Sequence, residues 1–160
     1  MAFNHFVLRG PAGGLTSAAA ISLLQVATSA TRGVEVLRAS LSQRGSVTSV
    51  QEKIALIRKS AAATVTAGVV GSTLLKGNPN DQNPSLQLGA ALTGHTATVE
   101  GTNSDLTIEE GFNVLGAGWL YLPVQEERMT VPAASFLAMT FLTAPASQQW
   151  YPEIWLRETT

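Results

Sequence analysis

Apolar and polar positions in this chain alternate in short runs separated by turn residues, from about residue 19 to the end. A period of two over four to eight residues is the pattern of β-strands with one buried face. The first clear run is 21–27, closed by a turn over 29–33. In 34–42, Leu37, Ala39 and Leu41 share one face and Arg38 and Ser40 the other. Residues 49–58 alternate again, with Ile54 and Leu56 opposite Gln51, Lys53, Ala55 and Ile57. Shorter strands are predicted at 61–68, 69–75, 96–100 and 106–109, the last two around a turn at 101–105. Residues 86–92 are predicted as a helical turn. A long apolar run, 112–124, is predicted as one strand bulged at Gly116 and Gly118, followed by a charged turn at 125–128. Strands at 129–131, 136–142 and 150–157 complete the set. The sum is an all-β chain, a single β-sandwich of jelly-roll-like type, with no internal repeat.

Two segments fall outside the alternation. Residues 1–14 mix Asn4, Gly10, Pro11, Gly13 and Gly14 with sticky Phe3, Phe6, Val7 and Leu8. They are expected to form an extended N-terminal arm, leaving 15–160 as the sandwich domain. On that arm Phe3, His5, Phe6, Leu8 and Arg9 are the candidate contacts with a partner. Residues 76–85 hold two prolines and three asparagines, which rules out a helix interior or a central strand. Asn78, Asn80, Asp81 and Asn83 at the tip of this loop are a second set of candidate contacts.

Charge changes the picture more than length does. Only 13% of the 160 residues are charged, against about 25% in an ordinary globular chain. Sparse charge with abundant Ala, Ser, Thr and Gly suggests a surface partly covered by other protein. The ten basic and eleven acidic residues are dispersed, so no basic cluster is available for phosphates and nucleic acid is not an expected partner. There is no cysteine, hence no disulfide and no thiolate metal site. The apolar stretch 15–26 is interrupted by Thr16, Ser17, Ser22 and Gln25, too short and too polar to span a membrane. The start of the chain lacks the apolar core of a signal peptide, so a protein made in a cytoplasm, or carried out of one in a particle, is expected.

Chemistry-bearing residues do not assemble into a motif. His5 and His95 are ninety residues apart, without metal-ligand spacing. No Gly-x-Ser-x-Gly elbow accompanies any serine, and Asp81 and Asp105, the only aspartates, fall in loops. Glu109–Glu110 and Glu126–Glu127 are adjacent carboxylates, which alternate to opposite faces of a strand instead of facing each other across a substrate. The glycines of 10–14 and 68–71 have no lysine of a phosphate loop. No catalytic residue, metal, cofactor or small-molecule substrate is therefore expected. The aromatic residues Trp119, Tyr121, Trp150, Tyr151 and Trp155 leave sugar stacking as an alternative to core packing; alternation puts Trp150 opposite Tyr151 and Trp155.

Residues 34–43 (VEVLRASLSQ), residues 48–64 (TSVQEKIALIRKSAAAT) and the ending from ERMTVPA at 127–133 to a Trp-rich last strand resemble small virion proteins of tailed bacteriophages, of the capsid decoration or cement type. The likeness is one of pattern and spans residues 20–158. It implies a compact β domain, a homotrimer, seated on the outer capsid surface and clamping adjacent subunits of the major capsid protein. The alternative is a tail- or fibre-associated module recognising host glycans. Burial of Trp119 and Trp150 with a projecting arm would favour the first; exposure of either tryptophan would favour the second.

Overall fold

The computed structural model describes residues 4–17, 19, 21–45, 48–146 and 148–159. They form thirteen strands and one 3₁₀ turn: β1 (His5–Arg9), β2 (Leu15–Ser17), β3 (Ser22–Ala27), β4 (Val34–Arg44), β5 (Gln51–Lys59), β6 (Thr64–Ala67), β7 (Leu74–Lys76), β8 (Gly94–Val99), β9 (Asn103–Asn113), β10 (Trp119–Tyr121), the 3₁₀ turn Gln125–Glu127, β11 (Thr130–Val131), β12 (Phe136–Phe141) and β13 (Gln148–Glu158). Two antiparallel sheets result. One runs β10-β4-β13-β1-β7, with β11 on β4 and β2 on β13; the other runs β6-β8-β3-β12-β5-β9.

The pairing has a mirror plan. β1 pairs with β13, β3 with β12, β4 with β10 and β5 with β9, so early strands meet late ones in reverse order. Everything between β5 and β9 is an insert, and its strands extend the sheets at one flank. β7 adds to β1, while β8 adds to β3 and carries β6. The opposite flank stays open: its edges are β9 in one sheet and β10 with β11 in the other.

Inward-facing side chains of both sheets share one core. Phe6, Leu8, Ala39, Leu41, Trp150, Ile154 and Leu156 come from one sheet, and Leu24, Val26, Ile54, Leu56, Leu137, Met139 and Phe141 from the other. Trp150, 0% exposed, sits at the centre with edge-to-face partners Phe141 at 4.8 Å and Phe112 at 6.2 Å. Such ring pairs add about 0.5–1.5 kcal/mol beyond the area they bury. β13 shows the logic most simply: Trp150, Ile154 and Leu156 point in, while Tyr151, Glu153, Trp155 and Arg157 lie on the outer face.

Three expectations are corrected. Residues 5–9 are not a free arm but strand β1, held between β13 and β7, with Phe6 and Leu8 fully buried. The partners lie about 70 and 150 residues away in sequence, so nothing local marks the segment as a strand. Residues 112–124 are not one bulged strand. β9 ends at Asn113, a turn follows, and β10 begins at Trp119 in the other sheet. Gly118, at φ +82°, makes that crossover; a Cβ there would lie 2.5 Å from the Leu41 carbonyl oxygen. Residues 86–92 form no helical turn. Gln87 instead ties the segment to the end of β3, its amide N–H donating to Ala27 and its side chain to Thr28.

Candidate interaction surfaces

The outer face of the first sheet carries two linked hollows. One, about 460 Å³, is lined by His5, Leu37, Arg38, Leu122, Arg128, Trp155 and Arg157. The other, about 340 Å³, is lined by Arg9, the 10–12 turn, Arg38, Ser40, Ser42, Tyr151, Pro152 and Glu153. Arg38 belongs to both.

Local backbone irregularities build this trough. The β4–β13 register slips between Trp155 and Leu156, which pair with Arg38 and Val36. Leu37 is the extra residue of this bulge, so Leu37 and Arg38 both line the trough while Val36 stays in the core. Simple alternation put Leu37 on one face with Ala39 and Leu41; the bulge turns it away from them. At the other end, Gly10 donates to the Pro152 carbonyl and the chain then leaves the ladder, rejoining β13 at Leu15 opposite Trp150. Pro152 has no N–H to offer a strand on that side, so the 10–14 excursion breaks no bond.

Charge is concentrated here. Glu35, buried at the floor, pairs with Arg157 and at 3.5 Å with Arg128. The Trp155 indole N–H donates to Glu153. Arg9 donates from Nε to the Ser72 carbonyl at 3.0 Å, which fixes its guanidinium over the trough edge. Arg38 is exposed and has no hydrogen-bond or ion-pair partner among the described residues.

The second surface is the open flank. Leu115, Leu120, Leu122 and Val124, between 49% and 68% exposed, fall within ten residues of chain around β10. The Trp119 indole donates to Glu110 at 2.5 Å and ties β10 to β9 beneath them. The remaining exposed large apolar residues, Val69, Val70, Leu88 and Val99, are on the insert.

The residues singled out from sequence separate into three groups. Phe6 and Leu8 are core and cannot anchor a partner. His5 and Arg9 do face outward, on the trough. Asn78, Asn80 and Asn83 are exposed and Asp81 is half-buried, in a loop organised by its own bonds: Asn78 N–H to Asp81 at 3.2 Å and Asn80 N–H to the Asn78 side chain at 3.0 Å. That loop is far from a bare connection, since Asn80 and Asp81 share a hollow of about 320 Å³ with Asn4 and Arg32. Phe3 lies outside the described residues. In the sequence, Trp155 was placed only on the face opposite Trp150, and Leu37 and Arg38 on opposite faces of one strand.

Some titratable groups elsewhere are held by structural bonds. His95 meets the Thr96 hydroxyl at 3.1 Å, and burial lowers its pKa. Glu109 pairs with Lys53 at 2.9 Å. Among the described residues no group of three or more His, Asp or Glu side chains is placed to hold a metal ion, and no helix is long and apolar enough to cross a membrane. Trp119 and Trp150 are 4% and 0% exposed, which leaves Trp155 as the tryptophan open to a ligand. Compared with known proteins, the chain is matched by no family model, no curated protein and no solved structure.

Proposed function

We propose that this chain is a non-enzymatic jelly-roll protein of the virion, a capsid decoration protein that binds adjacent major capsid protein subunits on the outer shell as a homotrimer. The strand order supports the jelly-roll assignment: with the insert and β2 and β11 set aside, the sheets read β1-β13-β4-β10 and β3-β12-β5-β9. That is one long hairpin rolled up, an architecture shared by capsid and lectin domains. Fold alone does not select a role.

The observation that carries the reading is the open flank. Leu120 and Leu122 stand 54% and 68% exposed on a short edge strand and the loop after it, an arrangement suited to burial against protein. Repeated over a lattice, a modest contact at each copy suffices through multivalency. Burial of Trp119 and Trp150 supports this reading over a glycan module built on them, although the projecting arm that was to accompany it is a core strand.

The test is the copy number of this chain in purified particles, by quantitative mass spectrometry against the major shell protein. Near-stoichiometric copies support a lattice-binding cement protein. A handful per particle would sink it and bring tail or fibre recognition forward.

A further inference from the structure

We infer that the trough across the outer face of the first sheet is a binding site for a carboxylate-bearing saccharide. This goes beyond attachment to a shell, for which the open flank is the proposed surface. The combined hollows fall in the size range of small-molecule sites, about 300–1,000 Å³. The lining has the parts such a ligand needs. Trp155, partly exposed on the trough, offers a ring for the C–H face of a pyranose. Arg38, exposed and unpaired where the two hollows meet, offers a guanidinium fork for a carboxylate. Ser40, Ser42 and Glu153 offer donors and acceptors for ring hydroxyls.

The mixed charge selects among anions. The trough holds four of the ten basic residues of the chain, Arg9, Arg38, Arg128 and Arg157, with two of its eleven acidic ones, Glu35 and Glu153. The net positive field attracts an acid. Glu153, open to the trough, repels a polymer charged at every unit, such as nucleic acid or polyglutamate, yet accepts hydroxyl hydrogens from a sugar. Glu35 is neutralised beneath Arg128 and Arg157 and holds their guanidinium groups in place.

The experiment is titration of the full chain with a trisaccharide bearing a single glucuronate and with a sialylated trisaccharide, each carrying one carboxylate, followed by calorimetry and by tryptophan fluorescence. Saturable binding of at least one, with quenching and at least tenfold weaker binding of its methyl ester, is expected. Arg38→Ala, an exposed substitution, should weaken it at least tenfold with an unchanged melting temperature. Trp155→Ala should abolish both binding and quenching, with Trp155→Phe retaining part of the affinity. Failure of both saccharides to saturate, equal binding of acid and ester, insensitivity to Arg38→Ala, or tighter binding of polyglutamate or a single-stranded oligonucleotide would each overturn the inference. Particle incorporation of Arg38→Ala, measured separately, is expected to be normal, so the result is independent of the shell-binding proposal.

Discussion

Lys59 and Glu100 form a lopsided pair: the lysine side chain is 1% exposed, the glutamate side chain 37%, and their charged atoms are 2.7 Å apart. Glu100 comes from just beyond β8 and also accepts from the Ser22 hydroxyl at 2.8 Å, so one carboxylate ties the end of β5 to the start of β3. Removing it strands a buried ammonium. Glu100→Gln is expected to cost about 2–3 kcal/mol, below the 3–5 of a fully enclosed pair because solvent reaches Glu100. Urea unfolding at neutral pH measures this, and an unchanged midpoint would contradict it.

Stability should fall in acid. Burial raises the pKa of Glu100, but bonds from Lys59 and Ser22 outweigh it and leave the group below 4.5. Burial likewise raises Glu158, and bonds from Ser85, Asn4 and Arg32 outweigh it, again leaving it below 4.5. Burial lowers His95 below 6.5. In all three the unfolded chain binds the proton more readily than the folded one, so a falling pH favours unfolding. The histidine contribution is lost from about pH 6.5 downward, and the carboxylate contributions from about 4.5 down through their lower folded values. Melting temperatures should be level at neutral pH and drop in those two stages; a level profile down to about pH 4 would exclude the histidine stage.

Gln25, 0% exposed, stitches the insert to the core. Its amide donates to the Ala63 and Leu92 carbonyls at 3.1 and 2.7 Å and accepts from the Ala63 N–H at 2.8 Å. Gln25→Leu keeps the volume and orphans all three backbone groups. The expected loss is about 3 kcal/mol or more, since each buried unsatisfied group costs about 1–3. Hydrogen exchange should show Ala63 opening before the β12–β5 ladder.

Gly118→Ala adds a methyl group 2.5 Å from the Leu41 carbonyl oxygen at a φ of +82°. Left-handed backbone alone costs about 1–2 kcal/mol for a residue with a Cβ, and the close approach adds to it. The melting temperature should fall, with β10 detaching first and the Trp119 fluorescence shifting red. An undisturbed Trp119 signal would mean that Gly118 does not set the crossover.

Leu120→Asp with Val124→Asp tests the open flank away from the trough, where both side chains are more than half exposed. Surface changes of this kind leave stability within about 0.5 kcal/mol. Incorporation into particles is expected to drop at least tenfold while the melting temperature holds. Normal incorporation would remove the flank from the proposed function.

Much of the sheet structure was legible because side-chain direction is local. Trp150, Ile154 and Leu156 against Tyr151, Glu153 and Trp155 can be read straight from the alternation of β13. Phe6 and Leu8 alternate with His5 and Arg9 just as plainly, but five residues next to Gly10 and Pro11 resemble a tail until β13 and β7 are known to flank them. Leu37 was misplaced because a bulge depends on the partner strand, opposite Trp155 and Leu156, and no pattern within β4 announces it. The trough inherits that blindness: Arg38, Trp155 and Arg9 come from three strands and meet only through pairing. The turn after Asn113 sends the chain from one sheet to the other, and 112–124 looks continuous because both of its halves bury an aromatic, Phe112 and Trp119.

The insert between β5 and β9 occupies one flank and leaves its counterpart bare. A sandwich with two bare flanks can add copies without end, each new subunit offering the edge the last one used. Here a neighbour that docks along β9 and β10 covers the flank that, among the described residues, the insert does not extend. The edges that then stay open are β7 and β6 of the insert, three and four residues long, too short to template an extended ladder with a further chain.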